Sequence, residues 1–327
     1  MNSRHACLLQ RQMKGFEMGR GPKVTEKSVE ELIKSGQGMG FGENYGPMLE
    51  IKRWNPSPMS VQVLKSLPPF KRKCHFFSHS EWYLALLFSW LGATIREQFP
   101  MWPWAHPHPE YGRRLEHDRY LPWSEGMNSI CQKMGIKHGV FVGTDIPYIW
   151  TIDLCLHMPW VKDPTRNSCL VSVKPLESEQ YLYVDPLHRG VEKLEAERRY
   201  AKELGIPYFI GDRSLFPGKF FANLEYLAEA AMLPQQHPWQ TTLQRFLDME
   251  AGDLSSYTLY EIKQRLDKDY GTPDGASTFL LNHMLWHQMI DCDLSYPINV
   301  SGAARPGGRR LRAQLRKSIE GGDNASE

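Results

Sequence analysis

The sequence predicts an α/β chain, a mixed β-sheet flanked by helices with a small helical unit after it, and three observations predict it. Hydrophobic residues make up 41% of the 327, enough to bury a sizeable core. Periodic segments between positions 78 and 210 run helix, strand, strand, strand, helix, strand, the order of an α/β core with a mixed sheet. The longest apolar segment, Trp82 to Leu91, is far too short to span a bilayer and is apolar nearly all round, as a buried helix is.

The elements follow in order. Residues 1–35 read as a basic arm carrying Arg4, Arg11, Lys14, Arg20, Lys23, Lys27 and Lys34, suited to phosphate or partner contact. Gly36-Gln-Gly-Met-Gly-Phe-Gly42 leads into extended chain rather than from a strand into a helix. It therefore reads as a flexible leading segment and not a phosphate loop. Met48 to Arg53 and Val61 to Leu64 read as short strands between proline-rich turns. Ser78 and Glu81 have capping-box spacing, so a helix opens there, and Gly92 closes it. Thr94 to Phe99 is the next strand. The loop after it holds His106, His108 and His117, which without regular spacing read as solvated residues rather than metal ligands.

Strands at Tyr148 to Leu156 and Cys169 to Pro175, a helix from Val191 to Leu204 and a buried strand from Ile206 to Ile210 complete the core, closed by a helix near 220–232. The core domain is thus 36–233. Beyond a linker at Pro234 to Trp239, a capping box at Thr258 and Glu261 opens a helix to Tyr270. A glycine turn, a helix from Ala276 to Gln288 and extended chain from Ile290 to Ile298 follow. Two helices across a short turn followed by extended chain predict a winged-helix-like domain over 234–300. Residues 301–327 read as a basic disordered tail with Arg309, Arg310, Arg312 and Arg316 as nucleic-acid or partner contacts.

Bulk properties exclude some classes. Formal charge is only +2, so any nucleic-acid role rests on the distribution of charge, not its sum. The six cysteines form no CxxC pair and no zinc spacing, which points to a reducing compartment and no structural zinc. There is no apolar signal-peptide core and no membrane span, so the expected location is the cytoplasm.

One constellation carries chemistry. Asp153 lies inside an otherwise apolar strand, with Ile152 and Leu154 expected on one face and Thr151, Asp153 and Cys155 on the other. An ionised carboxylate is costly to bury unless paired or bound to metal. Ser172 and Lys174 alternate on the following strand, and 21 residues separate Asp153 from Lys174, enough for a turn and a return strand alongside. Glu81, at the start of the packed helix, adds a second carboxylate. Asp, Glu and Lys meeting at a sheet edge form a metal-nuclease site of the PD-(D/E)xK type. Mg²⁺ takes oxygen ligands and keeps several waters, so Glu81, Asp153 and an oxygen at Ser172 suffice to hold it.

The chain also resembles the TnsA family, the end-cleaving subunits of heteromeric transposases. The resemblance rests on the segment Gly36 to Pro47, Ser80-Glu81 with its helix, Ile95-Arg-Glu-Gln-Phe-Pro100, Gly135-Ile-Lys-His138, Thr151-Ile-Asp153, Val171-Ser-Val-Lys-Pro175 and Val191 to Tyr200. It implies a restriction-endonuclease-like fold, with metal carboxylates at Glu81 and Asp153, a catalytic lysine at Lys174 and a further acid at Glu197. Ser172 stands where the family often has glutamine. It also implies Mg²⁺, with Mn²⁺ as the alternative ion, and cleavage of the non-transferred strand at the 5′ ends of a transposon. The implied partners are transposon-end DNA, a TnsB-type transposase and a TnsC-type AAA+ ATPase, with no membrane. A stand-alone restriction or repair endonuclease of the same fold is the alternative. Intact Glu81, Asp153 and Lys174 argue against a decayed, merely DNA-binding protein.

Overall fold

A computed structural model describes residues 24–52, 61–174, 189–233, 238–250, 254–272 and 275–320. The cations Arg4 to Lys23 of the basic arm, the 175–188 connection and the last seven residues of the tail lie outside these.

Four strands form the central sheet: β3 (Thr94–Met101), β6 (Trp150–His157), β7 (Ser168–Val173) and β8 (Tyr208–Gly211), in the order β3-β6-β7-β8. The pairs β3–β6 and β6–β7 are antiparallel and β7–β8 is parallel, so the sheet is mixed as predicted. A parallel pair needs a crossover, and the helix α4 (Arg189–Glu203) supplies it. All six residues of β7 are buried, because helices cover both of its faces.

On one face lies α2 (His79–Leu91). Ser78 caps it, its hydroxyl accepting the Glu81 N–H at 3.1 Å, and Gly92 at φ 93° ends it. Ten of its residues are buried, since α2 is enclosed by the sheet, the hairpin β1 (Val63–Ser66) and β2 (Lys73–Phe76), and the helix α5 (Gly218–Ala228). The other face is covered by α4 and by α3 (Met127–Met134), a short helix that the sequence reading did not anticipate. The two-residue strands β4 (His106–Pro107) and β5 (Trp123–Ser124) pair in the loop before it.

Several expectations are corrected. The described end of the basic arm is a helix, α1 (Glu26–Lys34), capped by Thr25. The glycine run is packed rather than flexible: a side chain at Gly38 would collide with Pro100, and one at Gly40 with the Asn44 carbonyl. His106 and His108 are buried rather than solvated, and His106 stacks on Tyr200 with Nε2 2.8 Å from the Tyr200 hydroxyl.

The C-terminal unit comprises α6 (Pro238–Glu250), α7 (Leu259–Asp269), α8 (Ala276–Trp286) and α9 (Gly308–Glu320). Helices α7 and α8 fall where the sequence placed them. No β-wing follows among the described residues: Ile290, Cys292 and Leu294 enter the core shared with α2 and α5 instead of forming an extended ribbon. The winged-helix expectation is therefore not met. The expected disordered tail is also corrected, because residues 308–320 are helical. Arg316 Nε reaches the Leu91 carbonyl at 2.7 Å, capping the C-terminus of α2, where a cation is favoured. Arg312 lies over Trp90, and Arg309 bonds the Gln288 and Met289 carbonyls. Arg309 and Arg310 are both exposed, and Arg310 makes no such contact among the described residues. No helix among the described residues is long and apolar enough to cross a membrane.

Candidate active site

The site lies where β6 and β7 part. Their ladder runs from His157–Ser168 to Leu154–Val171, and beyond it the Asp153 carboxylate takes the place of the next main-chain partner. Asp153 Oδ2 accepts the Val173 N–H at 2.6 Å and the Lys174 ammonium at 3.0 Å. Lys174 also donates to the Val173 carbonyl at 3.1 Å, and its own N–H bonds the Gly211 carbonyl of β8 at 2.9 Å. The lysine thus sits at a strand end, held by the sheet, with its charge turned back onto the aspartate.

Glu81 enters from the first turn of α2 and is 7% exposed. Oε2 accepts the Phe77 N–H at 2.9 Å and the Gln98 amide at 3.0 Å, and Oε1 accepts the Ser78 hydroxyl at 3.0 Å. The capping box is therefore modified: Glu81 reaches the residue before the cap rather than the cap's own N–H. Burial first, and the nearby Asp153 charge second, push the Glu81 carboxyl up to about 7, against the pull of its donors and Lys174. Glu81, Asp153 and Lys174 therefore share one electrostatic neighbourhood.

Ser172 and Glu197 meet each other instead. Ser172, 1% exposed, gives its hydroxyl to Glu197 of α4, and the Tyr208 hydroxyl donates to the same carboxylate at 2.9 Å. Lys193, one turn earlier on α4, lies 3.5 Å from the other Glu197 oxygen. These two residues brace β7 against α4, so the Ser172 hydroxyl is already engaged by Glu197.

The sequence reading gave no role to the buried polar triplet Arg96-Glu97-Gln98 of β3, exposed by 5%, 0% and 4%. Glu97 takes a bidentate ion pair from Arg72 of the β1–β2 hairpin, both contacts at 2.7 Å. Arg96 bonds Glu110 at 3.1 Å. Three consecutive polar residues inside an apolar strand were the available signal. At Gln98 β3 also changes face: Ile95 packs on the α2 side, Phe99 and Met101 on the α4 side. Across from them, Leu154 packs on the α2 side and Ile152 on the α4 side, so the expectation that Ile152 and Leu154 share a face is corrected. Within β3 the left-handed backbone of Gln98, φ 49°, breaks the period of two.

A mixed sheet flanked by helices is consistent with a nuclease fold. Over 239 residues, 70% of this chain and 73% of the relative, the sequence is 28% identical to the Transposon Tn7 transposition protein TnsA of Escherichia coli. No family model matches the chain. The chain is thus similar to a transposition protein of the TnsA kind over most of its length.

Proposed function

We propose that this chain is a divalent-cation-dependent DNA endonuclease that nicks the non-transferred strand at the 5′ ends of a mobile element during cut-and-paste transposition. The observation that carries the reading is the meeting of Glu81, Asp153 and Lys174 at one rim of the sheet. Likeness to a transposon's transposition protein supplies the biological setting.

The residues fit a small hard cation. Among the described residues no three His, Cys, Asp or Glu side chains gather into a metal cage. Mg²⁺ needs none, since it is commonly held by one or two carboxylates, waters and substrate phosphate. Asp153 places both of its hydrogen bonds on Oδ2, which leaves Oδ1 to a cation, and Glu81 keeps capacity on Oε1. When bound, Mg²⁺ or Mn²⁺ would supply positive charge at the scissile phosphate and acidify water. Lys174, steered by Asp153, brings its ammonium to the phosphate oxygens, where charge builds as the bond breaks. Ser172 and Glu197 keep β7 in register so that Lys174 stays aimed.

The function is completed by partners: a TnsB-type transposase that cuts the other strand, and a TnsC-type ATPase. The purified chain, given labelled element-end DNA and Mg²⁺ with and without such a transposase, is expected to nick the 5′ strand, with Asp153→Ala inactive. Efficient cutting of DNA without element ends or partners would instead indicate a stand-alone nuclease. Native-level nicking by Asp153→Ala would overturn the site.

A further inference from the structure

Gln98 stands in β3 directly across from Asp153, between the paired positions Glu97–Leu154 and Phe99–Ile152. Its φ of 49° lies in the left-handed region, shared among the described non-glycine residues only with Gln288. A long side chain in that conformation inside a strand is strained, and such strain persists only where the surroundings enforce it. Here the surroundings do. The Gln98 carbonyl accepts the Met48 N–H at 3.2 Å. The side chain is buried and used at both ends: Oε1 accepts the Thr151 hydroxyl at 3.3 Å, and Nε2 donates to Glu81 Oε2 at 3.0 Å.

The effect falls on Glu81. A carboxylate has about four lone-pair positions. Gln98 and the Phe77 N–H fill the two on Oε2, and Ser78 takes one on Oε1. Of the three donors, Phe77 and Ser78 belong to the helix start. Gln98 comes from the sheet and ties Glu81 to the strand pair that carries Asp153.

We propose that Gln98 is a positioning residue for the cation site: its carboxamide, held by Thr151, fixes the plane of the Glu81 carboxylate relative to Asp153 and saturates Oε2, leaving Oε1 to the metal. This rests on the metal-nuclease reading above. The left-handed backbone is what turns the amide toward Glu81 instead of leaving it in the strand's ordinary alternation.

Calorimetric titration of the full chain with Mn²⁺ tests it. Gln98→Met keeps the volume without the donor. Gln98→Gly removes the side chain and relieves the backbone, which keeps the test open if the methionine variant fails to fold. Both are expected to bind Mn²⁺ roughly tenfold more weakly, the scale of losing a group that orients a ligand, while the melting temperature of Gln98→Gly stays near the native value. In nicking assays the Mg²⁺ concentration for half-maximal rate rises, and the rate at saturating Mg²⁺ is largely recovered. Native Mn²⁺ affinity in both variants, with Asp153→Ala unable to bind, overturns this proposal alone. No Mn²⁺ binding by the native chain removes the metal-site reading with it.

Discussion

Lys174 and Asp153 form an ion pair 3.0 Å apart, with side chains 20% and 18% exposed, largely sheltered but not sealed from solvent. Removing the ammonium is expected to leave cation binding intact, because the carboxylates remain and lose a competing charge. Lys174→Ala should therefore slow nicking by about a hundredfold or more with Mn²⁺ affinity unchanged or tighter, read by parallel cleavage and calorimetry. Lost Mn²⁺ binding would show that the lysine organises the site rather than acting on the phosphate. The three principal side chains were legible in the sequence because each breaks a local pattern: an acid at a cap, an acid in an apolar strand, a lysine at a strand end. Gln98 was not, since its role depends on a left-handed φ and on meeting Glu81, 17 positions away, through space.

Between elements, buried ion pairs do the fastening. Arg72, in the turn between β1 and β2, and Glu97 of β3 clamp the hairpin to the sheet, and Arg72 also bonds the Ile95 and Gly42 carbonyls. Arg72→Met leaves the fully buried Glu97 without its guanidinium partner, and should destabilise the fold by about 3–5 kcal/mol, measured by urea unfolding. A second cluster holds the long loop after β3. Burial pushes the Glu110 carboxyl up, but its bond to His157 and the charges of Arg96, His157 and Arg113 outweigh that and hold it down to about 2. The folded value lies below the unfolded one, so this stabilisation is complete above about pH 4.5 and is lost as pH falls toward 2. Acid unfolding monitored by circular dichroism should steepen in that window for the native chain. Glu110→Gln should be less stable at neutral pH and flatter across it. An identical acid profile in the variant would assign the acid sensitivity to other carboxylates.

At the scale of the molecule, α2 links the site to the C-terminal unit. Glu81 stands in its first turn, and its last carbonyl, Leu91, is capped by Arg316 of α9, whose Ile319 is buried in the same core. Deleting residues 308–327 should therefore lower the melting temperature by about 5 °C or more. Calorimetry should find that loss nearly independent of salt, because buried caps and apolar contacts are little screened. A truncated chain that melts like the native one, and loses only salt-sensitive DNA binding, would return these arginines to the role of a free basic tail.

Periodicity, capping signals and single misfit charges are local, so the sequence by itself determined the mixed α/β core, the helix carrying Glu81, the strands carrying Asp153 and Lys174, and the chemistry they suggest. Tertiary structure alone decided the rest. It showed that Ser172 is bound to Glu197, that Gln98 donates to Glu81, that Ile290 to Leu294 feed a shared core rather than a wing, and that Arg316 of α9 caps a helix and Arg312 lies over Trp90. Each of these depends on which distant surface meets a residue once the chain is folded. Basic and apolar side chains have no preference of their own between solvent, partner and core until a neighbour supplies the carbonyl or the cavity.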